Sequence, residues 1–255
     1  MNTMTGTPRV VPLAQAAGAE WAKLWSVRTA AACLLAGLVL TGVFTFYYGS
    51  IARINDHPLQ PLGNAPVSSL ALGQFALLIL AAATVTSEYA TGSARASLLW
   101  VPVRARLHLA KSAVAAAVAL AAGIVFGVVG LAVAWQPFGG RATFDAAQSA
   151  GQVLAMGVYC ALLAVLAVGV AFALRTAAAA MSVLVVLVAG LPVLCTGLGG
   201  PFLLAVNDLL PQTAGTYFMR GGGTPYPAPV GLLIVAGWAA AAHLAGRTVL
   251  RRRDA

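Results

Sequence analysis

The chain has 255 residues, of which 60% are hydrophobic and only 8% are charged, whereas soluble domains carry about 25% charged residues. This composition, with a mean hydropathy of +0.89, excludes a soluble enzyme, a disordered chain and a nucleic-acid-binding protein. The net charge of +9 therefore indicates a membrane protein, because the basic residues lie beside long apolar runs.

The first predicted element is an amphipathic helix within residues 1–28. On a helical wheel Ala17, Trp21, Leu24 and Trp25 share one face, and Glu20 lies at its border. Tryptophan prefers the headgroup level of a bilayer, which favours a helix lying on the cytoplasmic leaflet. The alternative is a cytoplasmic extension of the first span that its tryptophans merely anchor. The residues assigned to this interfacial helix are Glu20, Trp21, Lys23, Leu24, Trp25 and Arg28.

Six apolar runs follow, each about the length that a helix needs to cross a bilayer. They are 29–48, 67–85, 112–134, 151–174, 177–195 and 229–246, and none contains Asp, Glu, Lys or Arg. The predicted fold is an all-α integral membrane protein with one transmembrane domain. Residues 1–28 form its cytoplasmic N-terminus, 29–246 its six-span bundle and 247–255 a basic cytoplasmic tail.

The basic residues predict the orientation of these spans. Twelve of the fifteen fall on the side that holds both termini, and Arg53, Arg141 and Arg220 fall on the other. Since cytoplasmic loops carry the excess of Lys and Arg, both termini are predicted to be cytoplasmic. The short turn at Arg175 separates spans four and five, because the surrounding apolar stretch is too long for one helix.

Glycine and proline mark three further features. Gly123, Gly127 and Gly130 have spacings that let helices approach closely, either inside the chain or at a dimer seam. Pro192 is expected to kink or end the fifth span. The external segment 196–228 contains a short apolar piece between Pro201 and Pro211, which is either re-entrant or part of an ordinary surface loop.

Catalytic and cofactor motifs are not found in the sequence. It contains no phosphate-binding loop, no GxSxG and no HExxH. The three cysteines and three histidines lack zinc-site spacing, so no metal, catalytic residue or cofactor is predicted for this chain. An ion-driven carrier needs an ionisable residue inside a span. Since the spans contain no Asp, Glu, Lys or Arg, and His243 lies near the end of the last span, we expect the energy source to lie outside the chain.

The densest pattern is the basic and apolar segment 86–111, TSEYATGSARASLLWVPVRARLHLAK. It is either a basic loop that obeys the positive-inside rule or a surface that a cytoplasmic partner pushes. The segment resembles the stretch T-S-E-Y-x-x-G-(T/S)…L…V-P-x-R…A-K of ABC-2 type permeases, the membrane subunits of bacterial ABC exporters. EWAKLWSVR at 20–28 is similar to the family's opening E-W-x-K-L-x-S-x-R. Ala105 departs from the family, which more often has glycine there.

The resemblance covers nearly the whole chain and implies a mechanism. The permease would pair with a second permease copy or paralogue in the bacterial cell membrane, above two separate ATPase subunits that bind ATP and Mg²⁺. The external segment before the last span would dip into the membrane as a lid. The segment after span two would be a coupling helix seated on the ATPase. The residues assigned to coupling are Glu88, Tyr89, Gly92, Arg95, Pro102, Arg104 and Arg106.

Glu88 is the acid on which the coupling hypothesis depends. We expect it to pair with Lys23 or Arg28 of the interfacial helix and so transmit motion, or else to be a helix-end charge solvated by headgroups. The apolar spans favour an amphiphilic or hydrophobic substrate. The alternatives to a transport subunit are a membrane-embedded immunity or regulatory protein that binds a peptide or lipid, and an enzyme acting on lipid.

Overall fold

The computed structural model describes residues 12–93 and 104–252, and almost all of them are helical. Six helices are long and apolar enough to cross a membrane. This confirms the prediction of an all-α protein with six spans. The helices extend past the predicted apolar runs, because a helix satisfies its own backbone hydrogen bonds and need not stop where the apolar residues do.

The elements follow in a simple order along the chain. They are α1 (Leu13–Ser26), α2 (Arg28–Ile54), β1 (Gln60–Pro61), α3 (Asn64–Thr91), α4 (Arg104–Phe138), β2 (Ala142–Thr143), α5 (Ala146–Leu174), α6 (Ala177–Val185), a π-helical turn (Val186–Gly190), α7 (Leu191–Leu198), α8 (Pro201–Asp208), α9 (Pro211–Met219) and α10 (Ala228–Arg252). The fifth span consists of α6, the π-helical turn and α7. The two-residue strands β1 and β2 pair in parallel.

Local signals explain where several helices begin and end. Gly92 ends α3 with φ 73°, a left-handed conformation that glycine adopts at little cost. Arg175 ends α5 with φ 63°, so the predicted division between spans four and five is confirmed. Asp145 caps α5, since its side chain accepts a hydrogen bond from the Gln148 amide at 2.7 Å.

Pro192 changes the fifth span without ending it. The helix continues to Leu198, but the turn before the proline, Val186–Gly190, is π-helical. Proline has no amide hydrogen to donate to the carbonyl four residues earlier, that of Val188. The wider turn next to it accommodates this missing hydrogen bond.

The core of the bundle lies around α3 and α5. In the most apolar 18-residue stretch of each of these two helices, 67% of the residues are buried. The corresponding share is 22% in α2 and in the fifth span, and 17% in α10. Leu78, Met156, Leu163 and Leu166 are among the fully buried side chains. The outer spans therefore present apolar side chains to the surroundings of the chain.

The predicted packing glycines lie at internal helix contacts. A Cβ on Gly123 would lie 2.8 Å from the Met156 carbonyl oxygen of α5, and one on Gly127 would lie 3.1 Å from the Val153 side chain. Gly130 contacts a different neighbour, because its Cβ would meet Pro66 of α3 at 2.5 Å. The spacing thus marks close approach within the chain.

The two ends of the bundle differ in charge. One end, called the basic end, holds α1, the end of α3, the start of α4 and the end of α10. There Arg104 donates to the Leu250 carbonyl at 2.9 Å, and the Arg175 guanidinium lies 5.2 Å from the centre of the Tyr89 ring. At the opposite end Arg141 forms an ion pair with Asp56.

The predicted external segment is mostly helical. Its helices α8 and α9 are joined by the turn at Leu209, and we call this pair of helices the hairpin. The first helix, α8, lies against α7, and the second helix, α9, packs on α3, α5 and α10. The Trp238 indole of α10 donates to the Leu209 carbonyl at the hairpin turn at 2.8 Å. Gln74 of α3 donates to the Gln212 side chain at 3.3 Å. A Cβ on Gly215 would lie 2.1 Å from the Tyr159 ring of α5, so α9 packs tightly on α5.

Tyr159 gives a first prediction about this packing. Its hydroxyl donates to the Gln74 side chain at 2.7 Å, and both residues are buried. Replacing Tyr159 with phenylalanine leaves the glutamine oxygen without this donor, so we expect the free energy of unfolding to fall by about 1 kcal/mol. Thermal unfolding in detergent measures the change. The control is Tyr47→Phe, at a residue that is 59% exposed, and an equal effect in both variants would contradict the prediction.

Candidate functional site

The helix α1 presents an unexpected face to the bundle. Ala16, Glu20 and Leu24 are buried, whereas Trp21 and Trp25 are each 47% exposed. The prediction that Leu24 shares an outer apolar face with both tryptophans, with Glu20 at its border, is therefore wrong. Glu20 faces inward because basic side chains of the bundle neutralise its carboxylate.

Four charged side chains meet at the basic end, and we call them the charge cluster: Glu20, Lys23, Glu88 and Lys111. The Lys111 ammonium of α4 lies 2.6 Å from Glu20 Oε2 and 2.9 Å from Glu88 Oε1. It also donates to the Thr84 carbonyl at 2.9 Å. Three helices, α1, α3 and α4, are thereby joined at one ammonium group.

Lys23 closes the cluster from the outer side. Its ammonium lies 2.7 Å from Glu20 Oε1 and 2.9 Å from Glu88 Oε1. The predicted pairing of Glu88 with the interfacial helix is thus present, through Lys23. Arg28 instead begins α2 and is exposed.

The cluster is stable because its charges balance. Lys111 is 2% exposed, Glu20 6%, Glu88 13% and Lys23 48%. An isolated buried charge is costly, but here two ammonium groups face two carboxylates, each at hydrogen-bond distance. Burial alone lowers the pKa of Lys23, but its hydrogen bonds and charge attraction with Glu20 and Glu88 raise it above its ordinary value. Lys23 is therefore an ammonium at neutral pH.

Sequence reasoning missed the part that Lys111 plays, because it treated this residue as one basic residue of a cytoplasmic loop. One signal was present in the sequence. Lys111 falls on the same helical stripe as Leu107, Val114 and Val118, which are all buried. A lysine within an apolar stripe indicates a buried partner of opposite charge.

A cavity of about 820 Å³ lies beside the cluster, between α1 and the helices α2, α3 and α4. Leu24, Ala30, Leu80 and Leu107 contribute apolar walls, and Glu20, Lys23, Glu88 and Lys111 line it as well. Besides the ion pairs, α1 makes two apolar contacts, of Ala16 with Leu107 and Ala110 and of Leu24 with Ala30, Leu80 and Val118. The ion pairs and these two apolar contacts together attach α1 to the bundle.

The remaining residues predicted for coupling lie around the same end. Tyr89 is half-buried beneath Arg175, and Gly92 ends α3 in open space. Arg104 binds the end of α10, and Arg106 is partly buried on the first turn of α4. Arg95 and Pro102 lie outside the described residues.

A second polar group at this end was not predicted. His108 of α4 is fully buried, with its ring centre 4.2 Å from that of His243 and 4.6 Å from that of Phe172. Ser112 and His243 Nδ1 lie 3.3 Å apart. Within 12–93 and 104–252, no group of three His, Cys, Asp or Glu side chains is placed to hold a metal ion.

The fold defines a multi-pass membrane protein with six apolar helices. Comparison of the chain with models of known protein families and with curated proteins finds no match.

Proposed function

We propose that the chain is the membrane-spanning permease subunit of an ATP-binding cassette exporter of the ABC-2 type. It works with a second permease and with separate ATPase subunits that supply ATP hydrolysis. The observation that carries this proposal is the charge cluster. It joins α1 to the end of α3 and the start of α4, the two helices that flank the segment resembling a coupling helix.

The cluster is suited to transmit a displacement at that segment. A displacement of the segment between α3 and α4 would move Glu88 at the end of α3 and Lys111 near the start of α4. Both contact α1, through Lys23 and Glu20. The cavity beside α1 leaves room for this helix to shift without displacing a packed core, and charge pairs can be exchanged between two discrete arrangements.

The hairpin of α8 and α9 acts as a re-entrant lid in this proposal. Trp238, which binds its turn, is the eleventh residue of α10, or about 15 Å along that helix axis. Gln74, which binds Gln212, is the eleventh residue of α3. Helical side chains lean back toward the start of their helix, which makes the depth of the turn smaller than the position of Trp238 alone indicates. In this proposal the turn still lies inside the bundle and not level with its end. Helices α3, α5 and α10 pack against α9, the second helix of the hairpin, and a re-entrant segment requires such cover from protein.

The orientation follows from charge, with the basic end and both termini in the cytoplasm of a bacterial cell. Trp21 and Trp25 then face the headgroups, and α1 is the interfacial helix. The apolar outer faces of α2, the fifth span and α10 are available to lipid and to the second permease. The substrate is an amphiphilic or hydrophobic molecule.

The test of the proposal is partner dependence. The tagged chain is purified in mild detergent from its own membranes, and its companions are identified by mass spectrometry. We expect a stoichiometric companion that carries a phosphate-binding loop. A chain that purifies alone in every detergent would contradict the exporter and favour an immunity or regulatory protein.

Glu88→Gln tests the coupling role of the cluster. Glutamine keeps the shape of Glu88 but removes one of the two carboxylate charges that hold Lys23 and Lys111. We expect substrate export per ATP hydrolysed to fall by about 5- to 10-fold, at the lower end of typical coupling energies. Export and ATPase rates are measured in vesicles that hold permease and ATPase together. The matched control is Asp56→Asn at the opposite end, an exposed carboxylate. Unchanged export and ATPase rates in Glu88→Gln would refute the coupling role.

A further inference from the structure

Asp208 lies at the turn of the hairpin, at the C-terminal end of α8. Two tyrosines stand beside it, Tyr217 from α9 and Tyr226 from the segment that leads into α10. The Tyr226 hydroxyl donates to the Asp208 backbone carbonyl. The two rings pack edge to face, with their centres 5.1 Å apart and their planes at 69°.

The carboxylate of Asp208 is hydrogen-bonded by the Tyr217 side chain but has no ion-pair partner among the described residues. The charge of Arg220 acts to lower the pKa of Tyr217, and the Arg220 guanidinium donates to the Ser68 hydroxyl of α3 at 2.8 Å. The C-terminal end of a helix adds partial negative charge of its own. The Asp208 carboxylate and this helix end therefore place negative charge at the turn.

The charge of the Asp208 carboxylate contributes to a raised pKa of both tyrosines. Burial raises the pKa of Tyr226 to about 12, with further contributions from the charges of Asp208 and Tyr217. Burial and the charge of Asp208 also raise the pKa of Tyr217. Both rings are thus neutral at physiological pH, and their faces can attract a cation.

We propose that Asp208, Tyr217 and Tyr226 form a binding site for the ammonium head group of a cationic amphiphile. A carboxylate supplies charge attraction, and two aromatic rings supply the cation–π contacts that suit an alkylated ammonium. The amphiphile's apolar chain would lie along α8, whose Phe202, Leu204 and neighbouring Leu209 are exposed. The inference rests on the proposed function in one respect, since it makes this amphiphile the exported substrate.

An inorganic cation fits the same residues poorly. Calcium takes six to eight oxygen ligands and magnesium demands an octahedral set. At this turn the carbonyls of Asp208 and Leu209 already accept hydrogen bonds from Tyr226 and Trp238. The oxygens that remain are few, whereas the aromatic surface is extensive, and this balance favours an organic cation.

Equilibrium binding of radiolabelled hexyltrimethylammonium to the purified chain in dodecyl maltoside tests the site. We expect saturable binding that Asp208→Asn weakens at least about tenfold, the loss of one charge-assisted contact. Tyr226→Leu should weaken binding by about three- to tenfold through loss of the ring, and Tyr226→Phe much less. Asp56→Asn, which removes an exposed carboxylate at the same end, should leave binding unchanged.

A charge-retaining variant and competing solutes make the binding test decisive. Asp208→Glu retains the charge and should bind the probe more tightly than Asp208→Asn, provided that both elute as the wild type does in gel filtration. The proposal is overturned if Asp208→Asn binds the probe as tightly as the wild type does, or if hexanol competes with the probe as well as an unlabelled cation does. It is also overturned if, at constant ionic strength, sodium displaces the probe and lithium does not, because that result would indicate a sodium site. Because the assay needs no ATPase, its result is independent of whether a companion ATPase co-purifies.

Discussion

Replacing Lys111 with methionine is expected to destabilise the protein by about 3–5 kcal/mol, because it breaks a buried charge network from one side. The substitution leaves Lys23 as the one lysine of the charge cluster, facing two carboxylates of which Glu20 is 6% exposed and Glu88 13%. The carbonyl of Thr84 also loses the hydrogen bond that Lys111 donates to it. Thermal and denaturant unfolding of the purified chain in detergent measures the loss.

Lys23→Met is the matched control for this prediction. It removes the same chemical group from the same two carboxylates, but Lys23 is 48% exposed, so the expected loss is about 1 kcal/mol or less. The double variant Glu20→Met with Lys111→Met should regain part of the stability, because a buried ion pair can be replaced by apolar side chains of similar volume. Equal losses for the two single lysine variants would contradict the arrangement of the cluster.

Replacing Gly169 with valine is expected to cost about 3 kcal/mol or more, at the upper end of the range for overpacking. A Cβ at Gly169 of α5 would lie 2.4 Å from the carbonyl carbon and oxygen of Ala242 in α10, and on the other side of this contact a Cβ at Gly246 would lie 2.5 Å from the Gly169 oxygen. Since the obstructing atoms are backbone, no side chain can turn aside, and α10 must move away from α5.

Gly151→Val provides the control for this contact. Gly151 lies on the same helix, and a Cβ there would have nothing within 4 Å, so the substitution should change the unfolding temperature little. Thermal unfolding and the yield of monodisperse protein compare the two variants. Similar behaviour of both would show that α5 and α10 do not approach as closely as the structure places them.

Features that depend on residues near one another in sequence were predictable. The six spans follow from apolar runs, because a bilayer requires about 20 such residues in each helix. The close contacts at Gly123 and Gly127 follow from small residues one helical turn apart. The pairing of Glu88 with Lys23 was predictable in outline, since it joins an acid and a base on the same side of the membrane.

The direction in which α1 faces was not predictable. The wheel grouped Leu24 with Trp21 and Trp25, but Leu24 packs on Ala30, Leu80 and Val118 while the tryptophans face outward. A helical wheel ranks faces by polarity, and Glu20 appears on it as a surface residue. Only the position of Lys111 on α4, 91 residues away in sequence, makes that carboxylate an inward group.

The sequence by itself therefore determined the class of protein, its number of spans and the distribution of basic residues between its two sides. Each depends on the free energy of placing a local stretch of chain in water or in lipid. The tertiary structure decided which charges meet, as in the charge cluster, and which side chains lie beside a polar turn, as Tyr217 and Tyr226 do at Asp208. Those features depend on contacts between distant segments, whose energies no local pattern records.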